Sequence, residues 1–363
     1  MALAPDAVRR LGRLGVGVAI ESGAGEGAFL PDAAFQAVGA RVVSRAEALG
    51  APLVATVGGV AEAELGALAP DAVVVGFLRP LDAPAALQPL AEAGATGLAM
   101  ELVPRTTRAQ SMDALSAMST VAGYRAALLA AERLPKFFPL LTTAAGTLRP
   151  AKVLVLGAGV AGLQALATAR RLGAVTAAYD VRAAAREQVE SVGAAFVELD
   201  LGTGDAEDAR GYARALGEDA QARQRAALAT LAGAYDVVIT TALIPGRPSP
   251  LLLTDDALAA MAPGSVVIDL AAANGGNCEA SVAGDTVVQD GVRVLAPLDL
   301  AATMPLHASE MYARTVATLV GAFVADGEWA PDLDDEILQS AVVTCGGAIV
   351  NARVLSLLDP ATP

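Results

Sequence analysis

Gly157, Gly159 and Gly162 stand in G-x-G-x-x-G spacing, and Asp180 follows roughly 20 residues on. Such a set can bind a dinucleotide. Gly157 permits a tight turn, Gly159 lets backbone approach a pyrophosphate, and Gly162 lets a helix pack closely on a strand. The helix N-terminus offers free N–H groups and a positive dipole end to the phosphates. A carboxylate at Asp180 accepts from an adenosine ribose diol and repels a 2′-phosphate, although Arg182, two residues on, could tolerate one. Three elements must hold these groups: a strand over Lys152–Leu156, a helix over Val160–Leu172 ended by Gly173, and a strand over Ala174–Tyr179 with Asp180 at its tip. A glycine-rich turn alone can serve packing only. Its agreement with both strands, the helix and the acid points to a dinucleotide site.

A second polar stretch is RTTRAQSMDALS, Arg105–Ser116. From pattern alone, Thr107 and Gln110 form a T-x-x-Q capping box before an apolar helix. The functional alternative is that Arg105, Gln110, Asp113 and Ser116 face a ligand at a domain boundary. On a helix Gln110, Asp113 and Ser116 would share one face. TTALIPGRP (Thr240–Pro248) and DLAAANGGNCE (Asp269–Glu279) each follow an apolar strand. Both would lie at strand carboxyl ends, where open parallel sheets bind ligands, or else be ordinary turns. The sole histidine, His307, opens a helix and reads as a capping or packing residue rather than a base. No His/Cys cluster has metal-ligand spacing, and no serine nucleophile elbow is present. Gly23, Gly25 and Gly27 form a further cluster without the full glycine spacing, and read as a turn.

The chain that positions these groups has 363 residues, 54% of them hydrophobic, and a net charge of −14. Its length suggests two domains, and its charge argues against direct contact with nucleic acid or an anionic membrane. Two cysteines, Cys278 and Cys345, and no signal-peptide pattern suggest a reducing, cytoplasmic setting. The longest charge-free run near the glycine motif, Val153–Ala169, is short for a bilayer span, so no transmembrane segment is expected. Residues 5–100 alternate short strands (Val16–Glu21, Arg41–Ser44, Leu53–Val57, Ala72–Phe77, Thr96–Glu101) with helices such as Asp82–Ala93, with Asp82 as its N-cap. A long helix is expected over Met112–Leu134. Further helices fall at Ala183–Val192, Ala220–Leu231 and Ala308–Val324. Further strands fall at Ala195–Leu199, Asp236–Thr240, Ser265–Asp269 and Val292–Ala296. Gly202–Asp219, polar and with Tyr212 near its middle, reads as a mobile loop or lid. Residues 325–363 read as an acidic loop and a short hairpin-like end.

MELVPRTTRAQSMDALS, AGYRAALLAAERLPKFFPLLTTAAGTLRPAKVLVLGAGVAGLQA, YDVRAAAREQVESVGAAF, VVITTALIPGRP, GSVVIDLAAANGGNCE and DLDDEI together resemble the NAD(H)-binding component of proton-translocating NAD(P) transhydrogenase, of the alpha-subunit domain I type. The resemblance covers nearly the whole chain. It implies an α/β protein of two Rossmann-like, doubly wound parallel-sheet domains with a cleft between them. The first domain would be discontinuous (1–115 plus 306–363) and the second, 116–305, would bind NAD(H). Arg105, Gln110, Asp113 and Ser116 would surround the nicotinamide end. Gly157, Gly159, Val160, Gly162, Asp180, Val181, Arg182, Tyr212, Thr241, Ala242, Gly275 and Asn277 would form the cofactor-binding set. The family's enzyme passes hydride between NAD(H) and NADP(H), the latter on a partner component, and a membrane-spanning component couples this to proton movement. The resemblance also implies a homodimer, cytoplasmic and peripheral to the inner membrane through partner subunits.

Alanine dehydrogenase has a related fold and is the alternative. It uses a Lys and a His in its first domain and an Asp after the LAA-type strand end. Here VATVGGV has no Lys, VVVGFLRPL has no His, and Ala273 stands in place of the acid. Oxidative deamination would then lack its proton acceptor, whereas hydride transfer between two nicotinamides needs only close, ordered rings. A non-catalytic NAD(H)-binding subunit is the other alternative. Two departures from the family stand out: Ala273 itself, and the apparent lack of an opening strand, which predicts either an incomplete first sheet or a true start upstream.

Overall fold

The computed structural model describes residues 1–199, 217–244 and 246–359. The chain divides into two compact units, Met1–Met118 with Met304–Pro363, and Ser119–Thr303. Both are α/β.

The second unit is built on a seven-stranded sheet. Its order is Ala195–Phe196, Val175–Tyr179, Lys152–Leu156, Val237–Thr240, Val266–Asp269, Val292–Leu295 and Thr286–Gln289. All pairs are parallel except the last, whose edge strand the sequence pattern does not reveal. Val153–Leu156 and Val237–Ile239 are fully buried. That is why these strands read as unbroken apolar runs: helices cover both faces of the sheet. The chain leaves Lys152–Leu156 in one direction and returns on its other side at Val237–Thr240. The two strands therefore flank the topological switch point, where such sheets bind ligands.

The helix Ala114–Arg133 places Val121, Ala126, Ala127 and Ala130 in buried positions. A Cβ on its Gly123 would lie 2.1 Å from the Ala161 carbonyl oxygen, so the glycine permits close approach to the helix Val160–Arg171. By length and hydropathy Ala114–Arg133 is also the one helix among the described residues that could cross a membrane. Its alanine face packs into the apolar cluster of the second unit. A hairpin, Leu141–Thr143 with Gly146–Leu148, is likewise absent from the sequence expectations; it pairs only with itself and is largely exposed.

The first unit has a five-stranded sheet in the order Ala348–Ile349, Val342–Cys345, Thr96–Ala99, Val73–Gly76 and Leu53–Ala55. Three strands are parallel, and the two C-terminal ones join antiparallel. Ala19–Glu21 and Arg41–Val43 form a separate parallel pair. The expected helix Asp82–Ala93 is instead a 3-10 turn, Pro84–Leu87, followed by a short helix, Gln88–Glu92, and Asp82 caps neither. Pro89 explains the break, because inside the expected helix it lacks the N–H that a continuing helix needs. The C-terminal segment also holds more than a hairpin, adding helices Glu336–Ala341 and Ala352–Leu358.

Candidate functional site

The carboxyl end of Lys152–Leu156 turns through Gly157, whose φ is +100°, a conformation L side chains rarely adopt. Its N–H donates to Tyr179 O at 2.9 Å, and its carbonyl accepts from Thr241 Oγ1 at 2.7 Å. A Cβ on Gly162 would stand 1.9 Å from the Gly157 carbonyl oxygen, so only glycine lets the helix start this close to the turn. Gly159 differs, because a Cβ there would meet nothing within 4 Å. It is the N-cap of Val160–Arg171, and no side chain caps the helix. The first intrahelical bond is Leu163 N–H to Gly159 O, which leaves the N–H groups of the preceding turn facing outward with partly exposed Val160 beside them. This open, glycine-lined helix start fits a pyrophosphate.

Asp180 lies at the tip of Val175–Tyr179 and is engaged within the protein. Oδ2 accepts from Ala158 N at 2.7 Å and Arg182 Nη2 at 2.8 Å; Oδ1 accepts from Arg182 N and Nε, both at 2.9 Å. The carboxylate side chain is 5% exposed. Val181, between the pair, packs against the apolar cluster around Leu154 and Tyr179. Buried Gln224 donates to Tyr179 Oη at 3.0 Å, and burial pushes that phenol's pKa up.

The two strand-end stretches are tied together. Asn277 Oδ1 accepts from Ala242 N at 3.0 Å, while Nδ2 donates to Ala242 O at 2.9 Å and Pro250 O at 2.8 Å. Asn277 is fully buried, so its amide serves as a brace. Asp269, also fully buried, accepts from Thr240 Oγ1, Ser281 Oγ and the backbone N–H groups of Ala271, Asn277 and Cys278. Gly275, at φ +98°, borders open space. Burial pushes the Cys278 thiol up to about 11, so it is not a thiolate at neutral pH. Ala273 is exposed and brings no acid to this loop. Tyr212 and nearly all of the expected lid lie outside the described residues.

In the first unit, Gln110–Met112 is a 3-10 turn and Asp113 is extended. Gln110, Asp113 and Ser116 therefore do not share an α-helical face. Asp113 Oδ1 accepts from Ser116 N at 2.8 Å and Oδ2 from Ser116 Oγ at 2.6 Å, so Asp113 caps the helix rather than Thr107. Arg105 and Gln110 are exposed. The Thr106 hydroxyl is buried without a hydrogen-bond partner. Arg108, which sequence reasoning misses, pairs with Asp335 of DLDDEI, and that bond holds the carboxyl below its usual range. No local signal could have found a partner so distant in the chain. His307 is exposed on the first turn of Pro305–Ala322.

At the strand ends of this unit, Glu101 accepts from Leu78 N at 3.2 Å and Arg79 N at 2.7 Å, and burial pushes its pKa up. Tyr312 Oη donates to Thr56 O at 2.8 Å, and its ring stacks on Phe77.

Fold and loop geometry thus define a Rossmann-like α/β protein with an open glycine-lined helix start at its switch point. Residues 1–122 match the family described as "Alanine dehydrogenase/PNT, N-terminal domain" and residues 126–352 its C-terminal domain, and the chain belongs to this family. It is 42% identical over 364 aligned residues to an NAD(P) transhydrogenase subunit alpha polypeptide of Rhodospirillum rubrum, covering 97% of this chain and 94% of that one. Alanine dehydrogenase of Mycobacterium tuberculosis is 31% identical over 292 residues, 77% of this chain and 71% of that protein. The crystal structure of a transhydrogenase from Sinorhizobium meliloti matches with a TM-score of 0.87 and 42% identity, covering 96% and 95% of the two chains. The resemblance read from the sequence is borne out.

Proposed function

We propose that this chain is the NAD(H)-binding subunit of a proton-translocating transhydrogenase, and that it passes hydride between NAD(H) and NADP(H) held by a partner subunit. The observation that carries the nucleotide site is the open space at Gly159 beside an uncapped helix start at the switch point. Gly157, Gly159, Val160 and Gly162 would hold the pyrophosphate. Thr241 supports the turn through Gly157, and Asn277 fixes Ala242 and the loop containing Gly275. The ribose diol would exchange for the two side-chain bonds from Arg182 to Asp180. Ala158 N and Arg182 N would keep the carboxylate aimed, and Val181 would stay packed beneath. Tyr212 is included on the resemblance alone. Bound NAD(H) supplies the hydride chemistry. The role of this chain is to bind it, orient it and exclude water.

Arg105, Gln110, Asp113 and Ser116 are assigned to the nicotinamide side. Support comes from their resemblance to the family stretch, the exposed Gln110 amide and the unpartnered Thr106 hydroxyl in the same loop. Transhydrogenase is favoured over alanine dehydrogenase because the first unit offers no Lys or His at its strand ends. Glu101 and Tyr312, the ionisable groups tied into those ends, are engaged with the backbone. A second copy would cover the self-paired hairpin at 141–148 and exposed Phe137, Leu140 and Leu148, giving a homodimer; a two-stranded hairpin alone is marginal in water. The membrane-spanning partner subunit would hold the assembly at the inner membrane from the cytoplasm.

Calorimetric titration tests the binding half. NADH should bind at least about tenfold more tightly than NADPH. Equal or tighter NADPH binding would defeat the assignment. Oxidation of NADH by the chain alone with pyruvate and ammonia would favour alanine dehydrogenase.

A further inference from the structure

Away from the sites described so far, the first unit contains a hollow of about 360 Å³ lined by Arg10, Arg13, Leu14, Met112, Thr318, Gly321 and Ala322. Its volume falls within the range of small-molecule pockets. The apolar part comes from Leu14, Met112, Gly321 and Ala322, with Met112 buried and Leu14 42% exposed. The cationic part comes from the end of the helix Pro5–Gly12, where Arg10 and Arg13 are three residues apart on one face.

The chain carries a net charge of −14, and Arg9, Arg41, Arg45, Arg108, Arg182 and Arg186 all pair with carboxylates. Neither Arg10 nor Arg13 has an ion pair among the described residues. Arg10 donates from Nη1 to Thr318 Oγ1 at 2.7 Å, which holds its side chain beside the hollow. A helix C-terminus favours a cation. It does not account for the apolar hollow beside the cations.

We propose that this hollow binds a small amphiphilic anion, with a carboxylate or phosphate head held by Arg10 and Arg13 and a short aliphatic body over Leu14, Met112 and Ala322. Guanidinium groups suit such heads, since their planar donors match carboxylate and phosphate oxygens. The body gains by covering the exposed part of Leu14. Met112 closes the same 3-10 turn that begins at Gln110, so an occupant would rest against the turn carrying that amide.

Calorimetry on the full chain tests this with octanoate, octyl phosphate and uncharged 1-octanol. Both anions should bind at millimolar concentration or below, and octanol at least tenfold more weakly. The relative affinity of the two anions distinguishes a carboxylate from a phosphate head. Arg10→Glu with Arg13→Glu should weaken anion binding at least tenfold while NADH titrates as in the parent. Gly321→Leu is an independent arm. Its Cβ would stand 3.0 Å from Leu14 Cδ1, the end of a flexible exposed side chain, so the larger residue fills the hollow without disturbing backbone. It should abolish binding of both anions. No anion binding, octanol binding as tightly as octanoate, or parental anion affinity in the double variant or in Gly321→Leu would overturn the proposal.

Discussion

The strand ends of the two units meet the same topological opportunity differently. In the second unit the turn after Lys152–Leu156 is built from glycines, and its helix start is left open. In the first unit the corresponding ends are closed by the protein's own groups. Glu101 takes the Leu78 and Arg79 N–H groups, and Tyr312 takes the Thr56 carbonyl. The loops and helix starts that follow the strands of a parallel sheet bring backbone N–H groups to its carboxyl edge, but only those left unspent can hold an anion. On the proposed reading, one unit is organised for a nucleotide and the other for carrying the loop Arg105–Ser116.

The largest break in this comparison should come from Gly162→Val. The added Cβ would lie 1.9 Å from a backbone oxygen, so turn or helix must shift. We expect a loss of about 3 kcal/mol or more in stability by chemical denaturation, together with loss of NADH binding. Gly159→Ala should separate the two effects. Because nothing lies within 4 Å of its Cβ, the melting temperature should match the parent. NADH affinity should still fall about tenfold, because the methyl occupies the approach to the pyrophosphate. A variant that binds NADH normally would show that the cradle is a packing device only.

Asp180→Asn should lower the NADH-to-NADPH affinity ratio about tenfold rather than abolish binding, since the amide no longer repels a 2′-phosphate. An unchanged ratio would remove Asp180 from specificity. In the first unit, burial raises the Glu101 pKa on folding. Its contribution to stability is therefore complete below the ordinary value of 4.5 and is lost as pH rises through the folded pKa. Thermal melts between pH 4 and 8 should show a flatter profile for Glu101→Gln than for the parent, and superimposable profiles would contradict this. The smallest effect belongs to His307→Ala, an exposed residue that should alter stability and hydride transfer by less than about 0.5 kcal/mol.

The second unit was the more legible half because its signals are local. Buried strands read as apolar runs, and the glycines imposed by the turn and by helix–strand packing lie within a few residues of each other. The first unit depends more on distant contacts. Thr107 and Asp113 are both good N-cap types, and what chooses Asp113 is the intervening 3-10 turn at Gln110–Met112. Arg108 finds Asp335 across most of the chain. Asn277, legible as a polar residue in a strand-end loop, is a brace because Ala242 and Pro250 face it. Arg182 was visible as a neighbour of Asp180, but not that its fork would saturate the carboxylate.

The central claim is that this chain orders one nicotinamide for a partner and performs no acid–base step itself. A single-turnover, stopped-flow measurement of hydride transfer from NADH to an NADP⁺ analogue tests it, run with and without the NADP(H)-binding subunit and with Gln110→Asn alongside the parent. Transfer should require the partner. Gln110→Asn, one methylene shorter and equally polar, should leave NADH affinity unchanged and slow the step about 10²-fold, the scale for a misplacement of about 1 Å. Transfer without the partner, or a Gln110→Asn variant that reacts at the parental rate or loses NADH binding instead, would contradict the account.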